Sequence, residues 1–170
     1  MADGEKSALT RLLWLTEIFE DALLVLLLAA MIVLAGAQIV LRNLFESAIV
    51  WADPLLRVGV LWVGMIGAMV ATRGDKQISI DAVSKFLPPR TKAGIRVMTD
   101  IFTAVVSAVV AWSAYRLMLE DRSAGGLTIG FVPVWICEAV IPVAFAVIAL
   151  RYLGYAVRHA RKSVEKVELP

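Results

Sequence analysis

The apolar positions of this chain are gathered into four long runs, rather than spread at the period of a soluble helix or strand. The runs cover residues 22–41, 55–72, 95–119 and 131–153. The first run carries no charge, and it is as long as the stretch of about 20 residues that a helix needs to cross a bilayer. The pattern predicts an all-α integral membrane protein, with a single membrane domain over residues 1–170 and four transmembrane helices.

Two shorter stretches next to these runs have an amphipathic pattern. Apolar and charged residues alternate at helical spacing over residues 8–20, ahead of the first span, and over residues 79–87, just before Pro88-Pro89. Proline stops a helix, and short amphipathic helices lie in the membrane interface. We expect an interfacial helix at each place, the first leading into the first span. For the second, a mobile basic loop is the alternative.

Composition supports a membrane protein and removes several function classes. Hydrophobic residues make up 60% of the chain and charged residues 19%, whereas a soluble domain is about 45–50% apolar and about 25% charged. The formal net charge of +2 gives no basic surface for nucleic acid, so we expect no nucleic-acid partner. A single cysteine and a single histidine exclude an intrachain disulfide and a Cys/His zinc cluster. We expect no metal site and no cofactor in this chain.

Lysine and arginine are unevenly distributed among the connecting segments. They are frequent before the first span, between the second and third, and after the fourth, whereas residues 42–54 and 120–130 contain only Arg42 and Arg122. Cytoplasmic segments of membrane proteins carry the excess of positive charge. The distribution therefore predicts that both termini and the middle loop are cytoplasmic and that the other two connections face outward.

Six charged residues in or beside the spans are candidates for assembly or ion-pair roles: Asp53, Arg57, Arg73, Asp100, Arg116 and Glu138. Asp53 followed by Pro54 predicts a helix N-cap with proline at the first helical position. Arg57 follows one turn later and is placed to pair with Asp53. The alternatives are a helix start with an arginine that reaches the headgroups, or a polar contact to another subunit or a lipid headgroup.

The acids Glu138 and Asp100 lie inside apolar runs. An acid within a span can mark an ion path, but such a path needs several polar groups around a cavity, and this chain offers almost none. We therefore expect Glu138 to pair with Arg57 or Arg116. Asp100 is expected to pair with Arg96 or Arg73.

Small residues four positions apart recur on two of the spans. The pairs are Gly64 with Ala68, Gly67 with Ala71, Ala104 with Ala108, and Ser107 with Ala111. Such pairs let helix backbones approach each other closely in a membrane. They are candidate helix contacts.

No set of residues indicates catalysis or self-sufficient transport. The chain has neither a G-x-S-x-G motif nor a glycine-rich phosphate loop, and its one histidine lies in a basic tail. We therefore expect that it is not an enzyme. The first span has no acid for ion coupling, and no span is broken at mid-membrane by a polar or glycyl segment. The residues predict a membrane module that works with a partner.

An ordered set of residues around the second span carries a recognisable pattern. An acid is followed four residues later by arginine, then by a Trp-containing apolar helix with a Gly-Ala step, an Arg-Gly pair and an Ile-x-Ile-Asp segment. This order resembles the small permease subunit of TRAP transporters, the DctQ family. The matching residues are Asp53, Arg57, Gly67-Ala68, Arg73-Gly74, Ile78, Ile80 and Asp81.

The last span resembles the closing pattern of the same family, and the resemblance extends over about residues 10–155. Two positions depart from the pattern, because Gln77 stands where the family often has histidine and Glu138 has no counterpart in it. The residues that match the closing pattern are Pro133, Trp135, Ile141-Pro142 and Leu150-Arg151.

The resemblance implies a role in a sodium-coupled symporter of the bacterial inner membrane. A periplasmic solute-binding protein would deliver an organic acid, such as a C4-dicarboxylate, to a large permease subunit that holds the substrate and sodium sites. This chain would be the fixed scaffold subunit, with the large subunit, the binding protein and membrane lipids as partners. Two other interpretations stay open: a stand-alone four-helix exporter, and a membrane anchor for a redox enzyme.

Overall fold

A computed structural model describes residues 2–45, 49–73, 89–128 and 132–165. Side chains are described for residues 16–45, 49–73, 94–128 and 132–161. Within these ranges the chain forms the helices α1 (Ala2–Phe45), α2 (Ala52–Ala71), α3 (Pro89–Ala124), α4 (Val134–Glu138) and α5 (Val140–Glu165). The described part of the chain is all-α, as its sequence predicts.

The described helices supply four segments that are long and apolar enough to cross a membrane. They are Thr16–Phe45, Ala52–Ala71, Gly94–Ala124 and Val134–Arg161, the last formed by α4 and α5 together. Each of the four passes beyond its predicted run at one end or both, and the added residues include charged ones. Some of the added side chains have partners on other helices or on the segment after α2, since Glu20 and Asp21 pair with Arg73 and His159 contacts Asp100.

The predicted interfacial segments have different outcomes. Residues 8–20 are helical, but α1 continues without a break from Ala2 to Phe45, so no turn separates this segment from the first span. Its depth in the membrane stays a prediction. The segment 79–87 lies outside the described residues.

The most extensive packing in the chain joins α3 to α5. On α3, Asp100, Ala104 and Ser107 are buried, and they follow the four-then-three spacing of one helix face. On α5, Ala144, Ile148 and Ala156 are buried at spacings of four and eight. Small side chains on both helices allow a close approach. Of the predicted pairs on α3, Ala104 and Ser107 are buried at this contact, whereas Ala108 is exposed.

The glycines of the predicted small-residue pairs on α2 are not close approaches within the described structure. Gly64 and Gly67 have no atom within 4 Å of the position that a Cβ would occupy, although Ala68 packs against the apolar core that α2 shares with α5. A close approach of α1 to α2 is found instead at Gly59, because a Cβ there would lie 2.7 Å from the Met31 sulfur. This glycine is outside the predicted pairs.

A small apolar core joins α2 to α5. It consists of Ile66, Met69, Val140, Ala144 and Ile148, with Leu23, Leu24 and Leu27 of α1 packed against it. Outside this core, long stretches of α1 and α3 expose large apolar side chains such as Leu26, Ile32, Phe102 and Val109. Exposed apolar surface on this scale marks a membrane or protein interface.

The last span is interrupted at Ala139, where α4 ends and α5 begins. Pro142 explains the break, because its ring clashes with the carbonyl four residues earlier and it has no N–H to donate there. That carbonyl belongs to Glu138, the last residue of α4. The interruption lies close to one end of the span.

Candidate functional site

One end of the bundle holds a cluster of paired charges, which we name the Arg73 cluster. It consists of Glu20, Asp21, Thr72, Arg73, Arg151 and Tyr155. Arg73 donates to Glu20 Oε2 from both Nε (3.1 Å) and Nη2 (2.7 Å), and to Asp21 Oδ1 from Nη1 (2.6 Å). The chain segment after α2 is thereby bonded to the start of the first span.

Arg151 completes the cluster from α5. Its Nη2 donates to both carboxylate oxygens of Glu20, at 2.8 and 3.0 Å, and its Nη1 donates to the Met69 carbonyl and to Thr72 Oγ1. The Tyr155 hydroxyl donates to the carbonyls of Thr72 (3.1 Å) and Arg73 (2.8 Å). These carbonyls end α2 and have no partner within the helix, so the cluster caps α2 while joining it to α1 and α5.

The cluster is shielded from solvent at its centre. The side chains of Glu20, Arg73 and Arg151 expose 14%, 15% and 19% of their surface, whereas Asp21 exposes 56%. Burial lowers the pKa of Arg73, but the hydrogen bonds that Arg73 donates to Glu20 and Asp21, together with the negative charges of these acids, outweigh burial and raise the pKa above its ordinary value. Arg73 therefore stays charged at neutral pH and well above it.

A second polar contact at this end joins α3 to α5. His159 Nδ1 lies 2.8 Å from Asp100 Oδ2, and the Asp100 side chain exposes only 4% of its surface. Arg73 was one of the expected partners of Asp100, and that pairing is wrong, because Arg73 binds Glu20 and Asp21. The histidine takes this place because α5 continues to Glu165, past the predicted end of the span.

Asp53 at the other end does not act as the predicted N-cap. Helix α2 begins at Ala52, with Trp51 at the capping position and no side-chain capping bond. Asp53 is therefore inside the first turn, where its Oδ1 accepts a hydrogen bond of 2.7 Å from Gln38 Nε2 on α1. An amide in an apolar span needs such a partner.

Arg57 and Arg116 are both exposed. The predicted pair of Arg57 with Asp53 does not form, and neither arginine has an ion-pair or hydrogen-bond partner among the described side chains. The Asp53 carboxylate is already bonded to Gln38, and an ion pair within an exposed helix turn contributes little.

Glu138 lies beside another acid and not beside an arginine. Its carboxyl group lies close enough to Asp121 on α3 for the two acids to interact electrostatically, and its Oε2 atom is buried without a hydrogen-bond partner in the described structure. The expected pairing with Arg57 or Arg116 is therefore wrong. Arg122 on α3 contacts Trp135 on α4, with its guanidinium 5.5 Å from the centre of the ring.

The break in the last span receives a hydrogen bond from α2. Trp62 Nε1 donates to the Cys137 carbonyl at 2.9 Å. This indole binds a backbone carbonyl in the turn before Pro142. The contact fixes α2 against α4.

Several residues of these contacts were not predicted as site residues, and three of them, Glu20, Gln38 and His159, are the partners of predicted ones. Each nevertheless had a signal in the pattern. Gln38 is the only polar side chain in the run 22–41, and Glu20-Asp21 form an acid pair directly before it. His159 lies four residues after Tyr155 and three after the buried Ala156, so it continues the buried face of α5.

Taken together, these polar groups hold helices to one another. Glu20, Arg73 and Arg151 join α1, α2 and α5, while Asp100 and His159 join α3 and α5. Among the described residues, no three histidine, cysteine or acidic side chains are grouped so that they could hold a metal ion. The arrangement is one of helix assembly.

The sequence was also compared with known proteins. Residues 31–162 match the family described as tripartite ATP-independent periplasmic transporters, DctQ component. This range covers well over half of the 170-residue chain. The chain belongs to the DctQ family. It is thus a TRAP transporter small permease component, as the resemblance implies.

Three curated relatives share this DctQ-type sequence. A putative TRAP transporter small permease protein of Haemophilus influenzae is 25% identical over 104 residues, which cover 59% of the chain and 65% of the relative. The C4-dicarboxylate TRAP transporter small permease protein DctQ of Vibrio cholerae is 22% identical over 70% of the chain and 53% of its own length. The isethionate TRAP transporter permease protein DctMQ of Oleidesulfovibrio alaskensis is 24% identical over 82% of the chain. The chain spans only 23% of that relative, and less than two thirds of each of the three.

Proposed function

We propose that this chain is the scaffold subunit of a sodium-coupled TRAP transporter that imports an organic acid across the bacterial inner membrane. It stabilises a large permease subunit, which holds the substrate and sodium sites. A periplasmic binding protein delivers the substrate. The chain itself binds neither substrate nor sodium.

This proposal is supported mainly by one observation: the buried polar side chains around Arg73 and Asp100 bind other helices of the chain. The most strongly charged group, around Arg73, has its donors and acceptors engaged with α1, α2 and α5. Asp100 is engaged with His159 in the same way. A transport site needs polar groups that converge on the substrate within the membrane, whereas these groups converge on other helices.

Exposed apolar surface supports a large membrane partner. The most apolar stretch of the first span has no residue buried inside the chain, and side chains such as Leu26, Val33 and Ile39 are more than half exposed. Such a surface is covered by lipid or by another membrane protein. A small subunit that exposes most of its first helix can extend the fixed wall of a larger transporter.

We infer the substrate class from the names of the relatives. Two of them are named for isethionate and for C4-dicarboxylates, and both are organic anions. We assign an organic acid of this kind to the complex, with a C4-dicarboxylate as the first candidate.

Reconstitution tests this function directly. The purified chain, the large subunit and the two together are placed in liposomes, and sodium-driven uptake of a C4-dicarboxylate is measured with the binding protein present. Uptake is expected only when both subunits are present. Uptake by this chain alone, above that of empty liposomes, would contradict the scaffold role.

Orientation is tested separately. We place Gly4 and Lys166 in the cytoplasm and Gly126 outside, because of the distribution of lysine and arginine. Single cysteines at these positions in a Cys137→Ser background can be labelled from either side with a membrane-impermeant reagent. Labelling of position 166 from the periplasm would reverse the orientation.

A further inference from the structure

The last turns of α5 hold an exposed arginine over an aromatic ring. The guanidinium carbon of Arg158 lies over the ring of Tyr155, 5.7 Å from the ring centre, and the Arg158 side chain is exposed. Arginine commonly stacks on aromatic faces in this way. Its N–H donors lie in the plane of the guanidinium group, so this contact leaves donors available to an acceptor.

The ring beneath Arg158 is held in place by other helical residues. The Tyr155 hydroxyl donates to the carbonyls of Thr72 and Arg73 at the end of α2. Tyr152 packs edge to face against the same ring, with the two ring centres 6.0 Å apart. The guanidinium therefore lies on a fixed surface, and a side chain that is held before binding loses less entropy when it binds a ligand.

Arg158 is not paired with any acid of the described chain. The ion pairs found among the described residues involve other basic side chains: Arg73, Arg151 and His159. Arg161 follows about one turn later and is also exposed, and Lys162 comes next in the sequence. The end of α5 thus offers a fixed cation in a basic stretch of the chain.

The depth of Arg158 is that of lipid headgroups. The apolar run of the last span ends at about Leu153, and Arg158 is about 7.5 Å further along the helix axis. The polar region on each side of a bilayer is about 5–7.5 Å thick. Tyr152 and Tyr155 come just before Arg158, and tyrosine is enriched at this boundary.

We propose that Arg158, stacked on Tyr155, binds the phosphate of an anionic phospholipid such as phosphatidylglycerol. The guanidinium donates paired hydrogen bonds to phosphate oxygens, whose geometry it matches. The basic sequence around it favours a headgroup with net negative charge. A choline headgroup has the same phosphate, but it would bring its own cation into this basic stretch. The lipid site goes beyond the scaffold role and does not depend on it.

Lipid retention by the full chain tests this site. The purified chain is reconstituted in equal amounts of phosphatidylglycerol and phosphatidylcholine with identical acyl chains. It is then delipidated at high salt, which screens diffuse attraction between exposed charges, and the lipids that stay bound are quantified by native mass spectrometry. We expect the wild-type chain to retain phosphatidylglycerol over phosphatidylcholine by about fivefold.

Two arginine variants separate a built site from a generally basic surface. Arg158→Gln is expected to lower the retention of phosphatidylglycerol about tenfold, as the loss of a hydrogen bond to a charged group would give. Arg161→Gln is the matched control, because it removes the same charge from an exposed arginine of the same helix end. No aromatic ring lies under Arg161 among the described residues, and its variant should change retention by less than about twofold at high salt.

Two tyrosine variants test the role of the ring. Tyr155→Leu and Tyr155→Phe both remove the hydroxyl that donates to the end of α2, but only Tyr155→Phe keeps an aromatic face beneath Arg158. We expect Tyr155→Leu to lose phosphatidylglycerol severalfold and Tyr155→Phe to retain it. This comparison separates the stacking contact from any loosening of the bundle that the lost hydroxyl causes.

Three results would overturn the lipid site. The first is equal retention of the two lipids by the wild-type chain. The second is a loss in Arg158→Gln no larger than that in Arg161→Gln, which would indicate a diffuse basic surface. The third is displacement of the retained lipid by millimolar inorganic phosphate, which would assign Arg158 to a free anion. None of these results depends on uptake or on the large subunit, so the scaffold role and the lipid site can fail independently.

Discussion

The two ends of this bundle differ in whether their charged side chains are paired. At the end that holds Arg73, three side chains that expose less than a fifth of their surface form ion pairs across α1, α2 and α5. At the end that holds Arg57, the arginine has no partner among the described residues, and Glu138 lies beside the like charge of Asp121. Among the described residues, the buried charges of the Arg73 end pair with one another, whereas Arg57 and Glu138 at the other end have no oppositely charged partner.

This difference indicates where the chain is stabilised and where it is open to other molecules. A buried ion pair is strongly destabilised when one partner is removed, because the other charge stays buried without compensation. An unpaired exposed group has no such partner to lose. We therefore expect substitutions of the paired charges at the Arg73 end to unfold or loosen the chain, and substitutions at the Arg57 end to change what it binds.

The largest effect is expected from Glu20→Gln. The substitution removes the charge that pairs with both Arg73 and Arg151, and leaves two guanidinium groups without their shared partner. We expect the free energy of unfolding of the full chain in detergent micelles to fall by about 3 kcal/mol, at the lower limit for a broken buried pair. Denaturant titration measures this value.

Glu17→Gln provides the matched control. Glu17 lies one turn earlier on α1 and is exposed, and its substitution is the same chemical change. Its unfolding free energy is expected to stay within about 0.5 kcal/mol of wild type. Equal losses for Glu17→Gln and Glu20→Gln would remove the distinction between the two ends.

The next effect is expected from Asp100→Ala, which leaves His159 without its carboxylate partner at the contact between α3 and α5. A buried polar group left unpaired costs about 1–3 kcal/mol. Asp100→Asn keeps an oxygen that the histidine can bind and should lose less. Thermal unfolding of the two variants side by side checks the order, and a larger loss for asparagine would refute it.

A smaller loss is expected from Trp62→Phe. The variant keeps the aromatic volume but loses the hydrogen bond to the Cys137 carbonyl. Hydrogen bonds between membrane helices contribute about 0.6 kcal/mol on average and up to about 1.7 kcal/mol, so the unfolding free energy should fall within this range. Trp112→Phe is the control, because Trp112 is 66% exposed. A larger loss in the control would show that the hydrogen bond contributes nothing.

The smallest effect, of opposite sign, is expected from Glu138→Gln. The change is chemically the same as Glu20→Gln, but here it removes a repulsion with Asp121 instead of an ion pair. The amide can also donate to the Asp121 carboxylate. We expect unfolding free energy equal to or slightly above that of wild type. A loss comparable to that of Glu20→Gln would show that Glu138 has a cation partner after all.

The spans could be predicted from sequence because membrane crossing depends on the length of an apolar run, which is a local property. The ion pairs could not, because a charge selects its partner by proximity in the folded bundle. Arg73 was considered as a partner of Asp100, whereas its partners are Glu20 and Asp21, which are 53 and 52 positions away. Spacing along one helix suggested Asp53 with Arg57, whereas Gln38 on another helix occupies the Asp53 carboxylate.

The end of the last span could not be predicted from the sequence for the same reason. The apolar run stops at about Leu153, and that boundary placed His159 in a basic tail. In the structure α5 continues to Glu165, and this continuation brings His159 to Asp100 on α3. The local apolar pattern gives no sign of a contact between two helices.

The scaffold role is tested most directly by the uptake rate per assembled complex in Glu20→Gln. The variant and wild type are co-expressed with the large subunit, the intact complex is quantified after purification, and sodium-driven uptake is normalised to it. A scaffold predicts that recovery of the complex falls severalfold while the uptake rate and the substrate KM of the recovered complex stay unchanged. Full recovery of a complex that no longer transports would contradict the scaffold role and place this cluster in the transport step itself.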